Sequence, residues 1–567
     1  MDETGERRRP VLQNGLDHRV QEGLRNRGHN GRMHSSPGGS DRDRDMAVSQ
    51  IRNAAQQMQT DFVDQMQDRL NNMLDGFVGE VTRMGELESP VKENPKGKRE
   101  PLAQKVFVPR ESLLTILLKD KNIQTIYNIL VAMLIVIIMN TFITDLIDTG
   151  SIRLDFGLLQ RAFGQAPTVL WTWFLMQIWA MLFFYCTFQY WAQHGSSYYS
   201  PFRLYIPDAA WLVVYVLYQA IFLYIPMRAV LVHSLPIASS IIITAEQVRL
   251  LMKMHAFMRE NAPRALAWKR QRIAAKKATN GHSKGTTSPD GDVDDSVANG
   301  NHTEEEVVTP CPDFSKYLYF LFCPTLIYRD SYPRTAEIRW DVVRVNFLQV
   351  LGCLFYTFYL FDCFCIPLFK NFNEDLMTMK SLARTVFTCM LPATLMLLLA
   401  FFAVLHSWFN AFAEMLRFAD RQFYKDWWTC KNYSTYYRTW NIVVHDWLYT
   451  YIYRDCQLLG LGRLTSSLMV FAISAVVHEY IIVMAFRYFY PVLLVFFVGV
   501  GVPLSIFMTG EWKSAIWNIF MWITLISGMG LILVLYNLEW YARLYCDYDR
   551  SSWIQLVVPQ TWGCKLL

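Results

Sequence analysis

Nine apolar segments constrain the fold of this 567-residue chain more than any other feature. Each is close to the length of about 20 predominantly apolar residues that a transmembrane helix needs. Segments of this length, repeated along one chain, predict an all-α polytopic membrane protein with about nine transmembrane helices. The predicted spans are residues 126–146, 168–192, 209–232, 236–257, 342–367, 386–409, 464–486, 488–508 and 515–536.

The charged residues lie mostly outside these spans. Only 18% of the chain is charged, and residues 1–120 and 261–313 hold about half of those charges. The net charge of +5 is too small and too dispersed to indicate a nucleic-acid-binding surface. A basic cluster precedes the first span and, by the positive-inside rule, predicts that the N-terminal side is cytosolic. Nine crossings then predict a lumenal C-terminus.

A helical pattern precedes the first span. From Val48 to Met84, apolar residues recur at steps of three and four, which is typical of a helix with one apolar stripe. Such a helix can mediate oligomerisation or lie on a membrane surface, and the scarcity of Lys and Arg on its polar face favours oligomerisation. The predicted organisation is a disordered cytosolic arm at 1–45, an oligomerisation helix at 46–86, a basic juxtamembrane segment at 87–120, and a membrane domain at 121–567, which contains a disordered cytosolic linker at 265–312 and a lumenal tail at 541–567.

One histidine lies in the middle of a predicted span. At the depth of His478, an ionisable side chain usually faces a polar cavity and indicates function. A packing role is the alternative interpretation, and it would carry more weight in a soluble core. Burial is expected to keep the imidazole neutral, as a general base requires. Glu479 is rotated by about 100° around the helix, so we expect it to hold a neighbouring helix.

A second polar concentration lies on the predicted cytosolic side, at residues 423–455. This segment is rich in tryptophan and tyrosine and could be an interfacial aromatic belt, but such a belt does not need its many carboxylates and carboxamides. Asn441 and His445 are four residues apart and are expected to share one helix face. No metal-ligand cluster is apparent, so no metal site is predicted.

Four short stretches resemble the membrane-bound O-acyltransferase family. They are FYKDWW at 423–428, TWN at 439–441, VHDW at 444–447 and HEY at 478–480. One branch of this family carries the signature FYxDWWN, represented here by Phe423, Tyr424, Asp426, Trp427, Trp428 and Thr429, with threonine in place of the last asparagine. Longer stretches resemble the sterol O-acyltransferases, and the resemblance extends over about residues 106–567. These stretches are 246–264, 317–335, 410–428, 432–449 and 539–546.

The resemblance implies a reaction chamber within the membrane and assigns roles to individual residues. It implies that His478 is the catalytic histidine and that Asn441 and Trp440 lie in the same chamber. Arg463 stands where the family has lysine, which keeps the positive charge. The other implied positions are Tyr453, Arg463, Ser474 and Tyr436 along an acyl-CoA tunnel, His406, His445 and Glu479 as further chamber candidates, and Cys546 and Cys564 as a lumenal disulfide.

The implied activity is transfer of a long-chain fatty acyl group from acyl-CoA to the 3-hydroxyl of cholesterol or a related sterol, in the endoplasmic reticulum membrane. Acyl-CoA would then be a co-substrate, and no cofactor is expected. The expected partners are acyl-CoA, sterol, membrane lipid and further copies of the chain in a dimer or tetramer, with no nucleic acid.

Three alternatives to this activity remain. They are a diacylglycerol or long-chain alcohol acceptor, a membrane transporter, and a sterol-binding protein without turnover. Transporters commonly contain inverted repeats, and no internal similarity is apparent between the two groups of spans.

Overall fold

The structure is a computed structural model, and it describes residues 105–150, 160, 162–193, 201–282, 309–370, 378–508, 514–546 and 553–562. The predicted arm at 1–45 and the predicted oligomerisation helix at 46–86 lie outside these residues. Within them the chain consists of helices joined by loops, and isolated bridges such as the one between Arg110 and Asp420 are its β-type contacts. The all-α prediction is confirmed.

The N-terminal group of helices begins with a well-capped membrane helix. The Asp120 carboxylate accepts a hydrogen bond from the Asn122 N–H at its start, and Gly150 ends it in the left-handed conformation, with a φ of 67°. A π-helical turn at Trp179–Phe183 joins the next two helices into one rod. The helices are α1 (Leu113–Leu117), α2 (Lys121–Thr149), α3 (Ala166–Ile178), α4 (Phe184–Gln193), α5 (Pro201–Val232), α6 (Ile237–His282) and α7 (Phe314–Phe322).

The C-terminal group is interrupted more often by π-helical turns, at Phe361–Cys365, Phe402–Trp408, Tyr449–Tyr453 and Val495–Gly501. Such turns widen a helix locally and often accompany functional sites. The helices are α8 (Trp340–Leu360), α9 (Ile366–Lys370), α10 (Met379–Phe401), α11 (Phe409–Met415), α12 (Tyr433–Trp440), α13 (Ile442–Leu448), α14 (Arg454–Leu458), α15 (Arg463–Phe486), α16 (Val492–Leu494), α17 (Val502–Phe507), α18 (Ile516–Tyr545) and α19 (Trp553–Val557).

The described residues include seven helices that are long and apolar enough to cross a membrane, so the protein is a multi-pass membrane protein. Of the nine predicted spans, 236–257 forms part of α6, where Glu246, Arg249 and Lys253 reduce the apolar character. The predicted span 488–508 contains a shorter apolar helix, Val492–Phe507. The seven are Lys121–Asp148, Ala166–Gln193, Ala210–Val232, Trp340–Phe369, Met379–Met415, Arg463–Phe486 and Ile516–Tyr545.

The prediction of a disordered linker from residue 265 onward is wrong at its N-terminal end. Helix α6 continues to His282, so residues 265–282 are helical. Alanine, lysine and arginine dominate this stretch, and all three are strong helix formers. Residues 283–308 lie outside the described part of the chain.

Close contact between α10 and α18 depends on a glycine. A Cβ atom at Gly530 of α18 would lie only 2.8 Å from Met390 Cγ on α10. Small residues let helix backbones approach in a membrane, where packing drives association. Asn518 and Trp522 of α18 also donate hydrogen bonds to the Trp428 carbonyl, so α18 supports the loop between α11 and α12.

The prediction that the lumenal tail begins at residue 541 is wrong, because α18 extends to Tyr545. Within its last turns, the buried Arg543 donates to the Glu539 carboxylate at 2.7 Å. Cys546 comes directly after the end of α18 and is disulfide-bonded. Its predicted partner, Cys564, lies outside the described residues, so the identity of the pair stays a prediction.

Candidate active site

The signature stretch holds the bend between α12 and α13 by backbone hydrogen bonds. The Lys425 N–H donates to the Thr439 carbonyl, and the Ile442 N–H donates to the Phe423 carbonyl, both at 2.9 Å. These two bonds flank Trp440 and Asn441. The stretch at 423–428 therefore fixes the conformation of the two residues that the family resemblance places in the reaction chamber.

Aromatic packing attaches the signature side chains to the same bend. Trp427 is 1% exposed, and its ring centroid lies 4.5 Å from that of Trp440 and 5.1 Å from that of Phe401. Phe401 in turn packs on Trp440 at 5.0 Å. Trp440 is thus held by rings from two different elements, and it forms part of an aromatic wall instead of projecting freely. Tyr436 also belongs to this wall, 5.9 Å from Trp427 and 5.6 Å from Trp440.

Threonine at the last signature position still closes the turn. Thr429 is exposed, and its hydroxyl lies within hydrogen-bond distance of the Asp426 carbonyl at 2.7 Å and the Asp426 carboxylate at 2.9 Å. The Asn518 side chain donates to the carbonyls of Trp428 and Cys430 and holds the turn from the other side. The substitution of threonine for the family's asparagine is therefore compatible with a formed signature loop.

Asn441 is the N-cap of α13, and this role determines which way its amide points. Its Oδ1 accepts a hydrogen bond from the Val444 N–H at 3.1 Å, which only the oxygen of the amide can do. The described part of the chain offers no acceptor to its amide nitrogen. The two N–H groups of that nitrogen are therefore available to a substrate.

His478 lies in the second half of α15, and a local hydrogen bond determines its tautomer. Nδ1 is 2.7 Å from the carbonyl oxygen of Ser474, one turn earlier. A carbonyl can only accept, so Nδ1 carries the hydrogen, and the lone pair of the neutral ring is at Nε2. The imidazole ring stacks on Phe497, with centroids 5.1 Å apart and an interplanar angle of 29°. The ring is thus held in the form that a general base at Nε2 requires.

The prediction that His478 is buried is wrong. Its side chain is exposed in the structure, as is Val476 on the same helix. The apolar sequence around His478 reflects contact with lipid as well as packing, and hydropathy alone does not separate the two environments. The exposure leaves Nε2 accessible, so lipid and bound substrates would have to exclude water from the ring.

Phe497 connects the histidine to the bend that carries Asn441. Besides stacking on His478, its ring lies 6.1 Å from that of Tyr437 in α12, the helix that ends at Trp440. The approach is tight, since a Cβ atom at Gly501 would lie 2.5 Å from the Tyr437 hydroxyl oxygen. Our sequence analysis missed Phe497, because it lies in an apolar segment with no polar or periodic signal that distinguishes it.

The residues assigned to an acyl-CoA tunnel fall on three elements. Tyr453 ends the π-helical turn after α13, and its ring stacks on Tyr449 at 5.4 Å, which in turn stacks on His445 at 6.3 Å. Arg463 is the first residue of α15, and Ser474 lies one turn before His478. The structure thus places His445 and Tyr453 in one aromatic row, whereas Tyr436 lies in the aromatic wall described above.

Two further chamber candidates have structural partners. His406 is buried, and its Nδ1 lies 2.7 Å from the Tyr424 hydroxyl and 3.3 Å from the Asn410 amide nitrogen. Both N–H groups of that amide have shorter contacts, with the His406 carbonyl at 2.8 Å and the Ser112 hydroxyl at 3.0 Å, so the hydrogen-bond partner of this Nδ1 is the Tyr424 hydroxyl. Glu479 is also buried, and its Oε2 accepts from the Leu494 N–H at 3.1 Å, so it holds the following helix, as we expected.

The hydrogen bond between Tyr424 and His406 yields a stability prediction. Replacing Tyr424 by Phe removes the hydrogen-bond partner of the buried His406 Nδ1, so we expect the free energy of unfolding to fall by about 1 to 2 kcal/mol. A lower thermal unfolding midpoint in detergent measures this. Tyr224→Phe is the matched control, because Tyr224 is 51% exposed and is expected to change nothing. Equal midpoints for the two variants would show that the buried bond contributes no stability.

Comparison with known proteins identifies the family of the chain. The profile of MBOAT, the membrane-bound O-acyltransferase family, matches residues 156–538. Sterol O-acyltransferase 1 of Mus musculus is 42% identical over 510 residues, covering 89% of this chain and 88% of the relative. Sterol O-acyltransferase 1 of Cricetulus griseus is 44% identical over 463 residues, covering 81% and 78%. Sterol O-acyltransferase 2 of Homo sapiens is 38% identical over 513 residues, covering 89% and 90%. The chain belongs to the membrane-bound O-acyltransferase family.

Proposed function

We propose that the protein transfers a long-chain fatty acyl group from acyl-CoA to the 3-hydroxyl of cholesterol or a related sterol, with acyl-CoA as co-substrate. The observation that carries this proposal is the fixed tautomer of His478, which leaves Nε2 free to act as a base. The names of the similar proteins, which are sterol O-acyltransferases, support the choice of acceptor.

The reaction proceeds by direct transfer. Nε2 of His478 takes the proton of the sterol hydroxyl while that oxygen attacks the carbonyl carbon of the thioester. The Asn441 amide donates a hydrogen bond to the carbonyl oxygen as negative charge develops on it, and this lowers the barrier. When the tetrahedral intermediate collapses, the carbon–sulfur bond breaks, and the imidazolium returns the proton to the CoA thiolate. No bond to the enzyme forms.

The structure supports a division of the remaining roles. Trp440 forms the wall beside Asn441, and we assign Tyr453, Arg463 and Ser474 to the path of acyl-CoA, with Arg463 near its cytosolic entrance as a partner for phosphate charge. We further propose that the protein resides in the endoplasmic reticulum membrane, with a cytosolic N-terminus and a lumenal C-terminus. Residues 46–86 would join copies of the chain into a dimer or tetramer.

The identity of the acyl acceptor is tested by comparing the esters formed with different acceptors. Membranes containing the full chain are given labelled oleoyl-CoA together with cholesterol, diacylglycerol or a long-chain alcohol, and the labelled ester is identified. We expect steryl ester to exceed the other products by at least about tenfold, since a shaped site discriminates by several contacts. Formation of triacylglycerol or wax ester alone would contradict the sterol assignment and leave the acyltransferase chemistry in place.

A further inference from the structure

Residues 105–115, which we call the strap, run along the segment that leads into the signature; residues 105–112 precede α1, and residues 113–115 begin it. The Arg110 N–H donates to the Ala419 carbonyl at 2.9 Å, and the Arg421 N–H donates to the Arg110 carbonyl at 3.0 Å. Because Arg421 comes two residues before Phe423, these bonds continue the series that ends at the bend around Asn441. Three backbone segments therefore lie side by side, in the order strap, 419–425 and 439–442.

An ion pair between the partly exposed Arg110 and a buried carboxylate fixes the middle of the strap. The Arg110 guanidinium donates to both carboxylate oxygens of Asp420, at 2.6 and 3.2 Å, and the side chain of Asp420 is only 2% exposed. The Val108 N–H lies 3.4 Å from the same carboxylate. Bidentate pairs of this kind combine energy with a defined geometry. They leave the strap little freedom to slide along the signature segment.

The C-terminal end of the strap contacts the signature through a buried polar group. The Asn410 side chain donates to the Ser112 hydroxyl at 3.0 Å, and Ser112 is 1% exposed. The Leu114 N–H lies 3.4 Å from the hydroxyl oxygen of Tyr424, a signature residue that also contacts His406. The strap thus reaches both the signature loop and the helix behind it.

The N-terminal end of the strap contacts α13, the helix that Asn441 caps. The Lys105 ammonium lies 2.8 Å from the Asp446 carboxylate, with the two side chains 18% and 22% exposed. His445 contributes a second partner, since its Nδ1 lies 3.5 Å from the same carboxyl group. Although burial opposes ionisation, His445 and Lys105 together lower the pKa of Asp446, so the carboxylate is charged and available to the strap at neutral pH.

We propose that the strap positions Asn441 for the acyl transfer proposed above, and that Lys105 acts as a positioning residue through Asp446. Lys105 is not placed against the substrates. It holds the helix whose first turn is capped by the Asn441 side chain, while Arg110 holds the signature segment that is bonded to both neighbours of the Trp440–Asn441 pair. The amide of Asn441 is thereby held from two sides.

Charge reversal with rescue tests this proposal in the full-length protein. Lys105→Glu and Asp446→Lys each place like charges together, and we expect either to lower kcat about tenfold while changing the KM for acyl-CoA less than about twofold, because small displacements of a catalytic group cost rate. The double variant exchanges the charges and is expected to restore kcat to within about threefold. Lys105→Arg keeps the pair and is expected to retain kcat.

The ion pair between Lys119 and Glu111 provides the matched control, since it is an exposed pair close by in the chain, with side chains 65% and 39% exposed. Its charge reversals are expected to leave kcat unchanged. The proposal is overturned if both single reversals retain kcat, or if they lower it and the exchanged pair does not restore it. Absence of ester formation by the wild-type protein would instead contradict the proposed function, so the two failures are distinguishable.

Discussion

Replacing His478 by Ala is expected to reduce the initial rate of steryl ester formation about a thousandfold, within the range that general bases contribute. Nε2 is the only atom of the side chain free to accept the sterol proton, because Nδ1 donates to the Ser474 carbonyl. The ring is exposed and packs mainly on Phe497, so its removal is expected to leave the fold intact. Initial rates with labelled oleoyl-CoA and cholesterol measure the loss.

His233→Ala is the control for the His478 variant. His233 is an exposed histidine just after α5, and we expect its replacement to leave the rate unchanged. Size-exclusion profiles should be the same for wild type and both variants. A His478→Ala protein that retains more than about a tenth of the wild-type rate would exclude His478 as the base.

Replacing Asn441 by Asp is expected to reduce kcat by about a hundredfold to a thousandfold, as the loss of an oxyanion-hole donor does. The aspartate retains an oxygen that accepts from the Val444 N–H, so the cap of α13 survives. It lacks the amide hydrogens and places negative charge next to the developing oxyanion. Determining kcat at saturating cholesterol and oleoyl-CoA separates this effect from a loss of affinity.

Asn432 supplies the matched control for Asn441, because it caps α12 in the same way, with its Oδ1 accepting from the Thr435 N–H at 2.7 Å. Asn432→Ala is expected to cost about 1 kcal/mol of stability, as cap removal does, with little change in kcat. The oxyanion assignment is contradicted if Asn441→Asp retains wild-type kcat, or if Asn432→Ala lowers kcat as strongly as Asn441→Asp does.

The membrane helices could be predicted well from sequence, because the need for about 20 apolar residues leaves a direct signal. The prediction was least accurate where charged residues lie inside a segment that is otherwise apolar. In α6, Glu246, Arg249 and Lys253 lie in a segment that we predicted as a span, and Gln177 and the carbonyls of α7 provide their partners. Partners so distant in the chain leave no local pattern.

The candidate site was predictable only in part. His478 stood out because ionisable residues are rare in apolar segments, whereas Asn441 was indicated by the family resemblance of its TWN stretch. The structure links the two residues through Phe497 and Tyr437. The tautomer of His478 and the orientation of the Asn441 amide each depend on one hydrogen bond. Neither bond can be predicted from the sequence pattern. We did not predict the strap from the sequence, because Lys105 and Asp446 are 341 positions apart and each resembles an ordinary cytosolic charge.

The central claim, direct transfer of the acyl group to a sterol, is tested most directly by the stoichiometry of CoA release. Purified protein is given oleoyl-CoA with or without cholesterol, and free CoA and steryl ester are both quantified by chromatography. We expect one CoA to be released for each steryl ester formed, and almost no release in the absence of sterol. CoA release that continues at the same rate without sterol would contradict this claim.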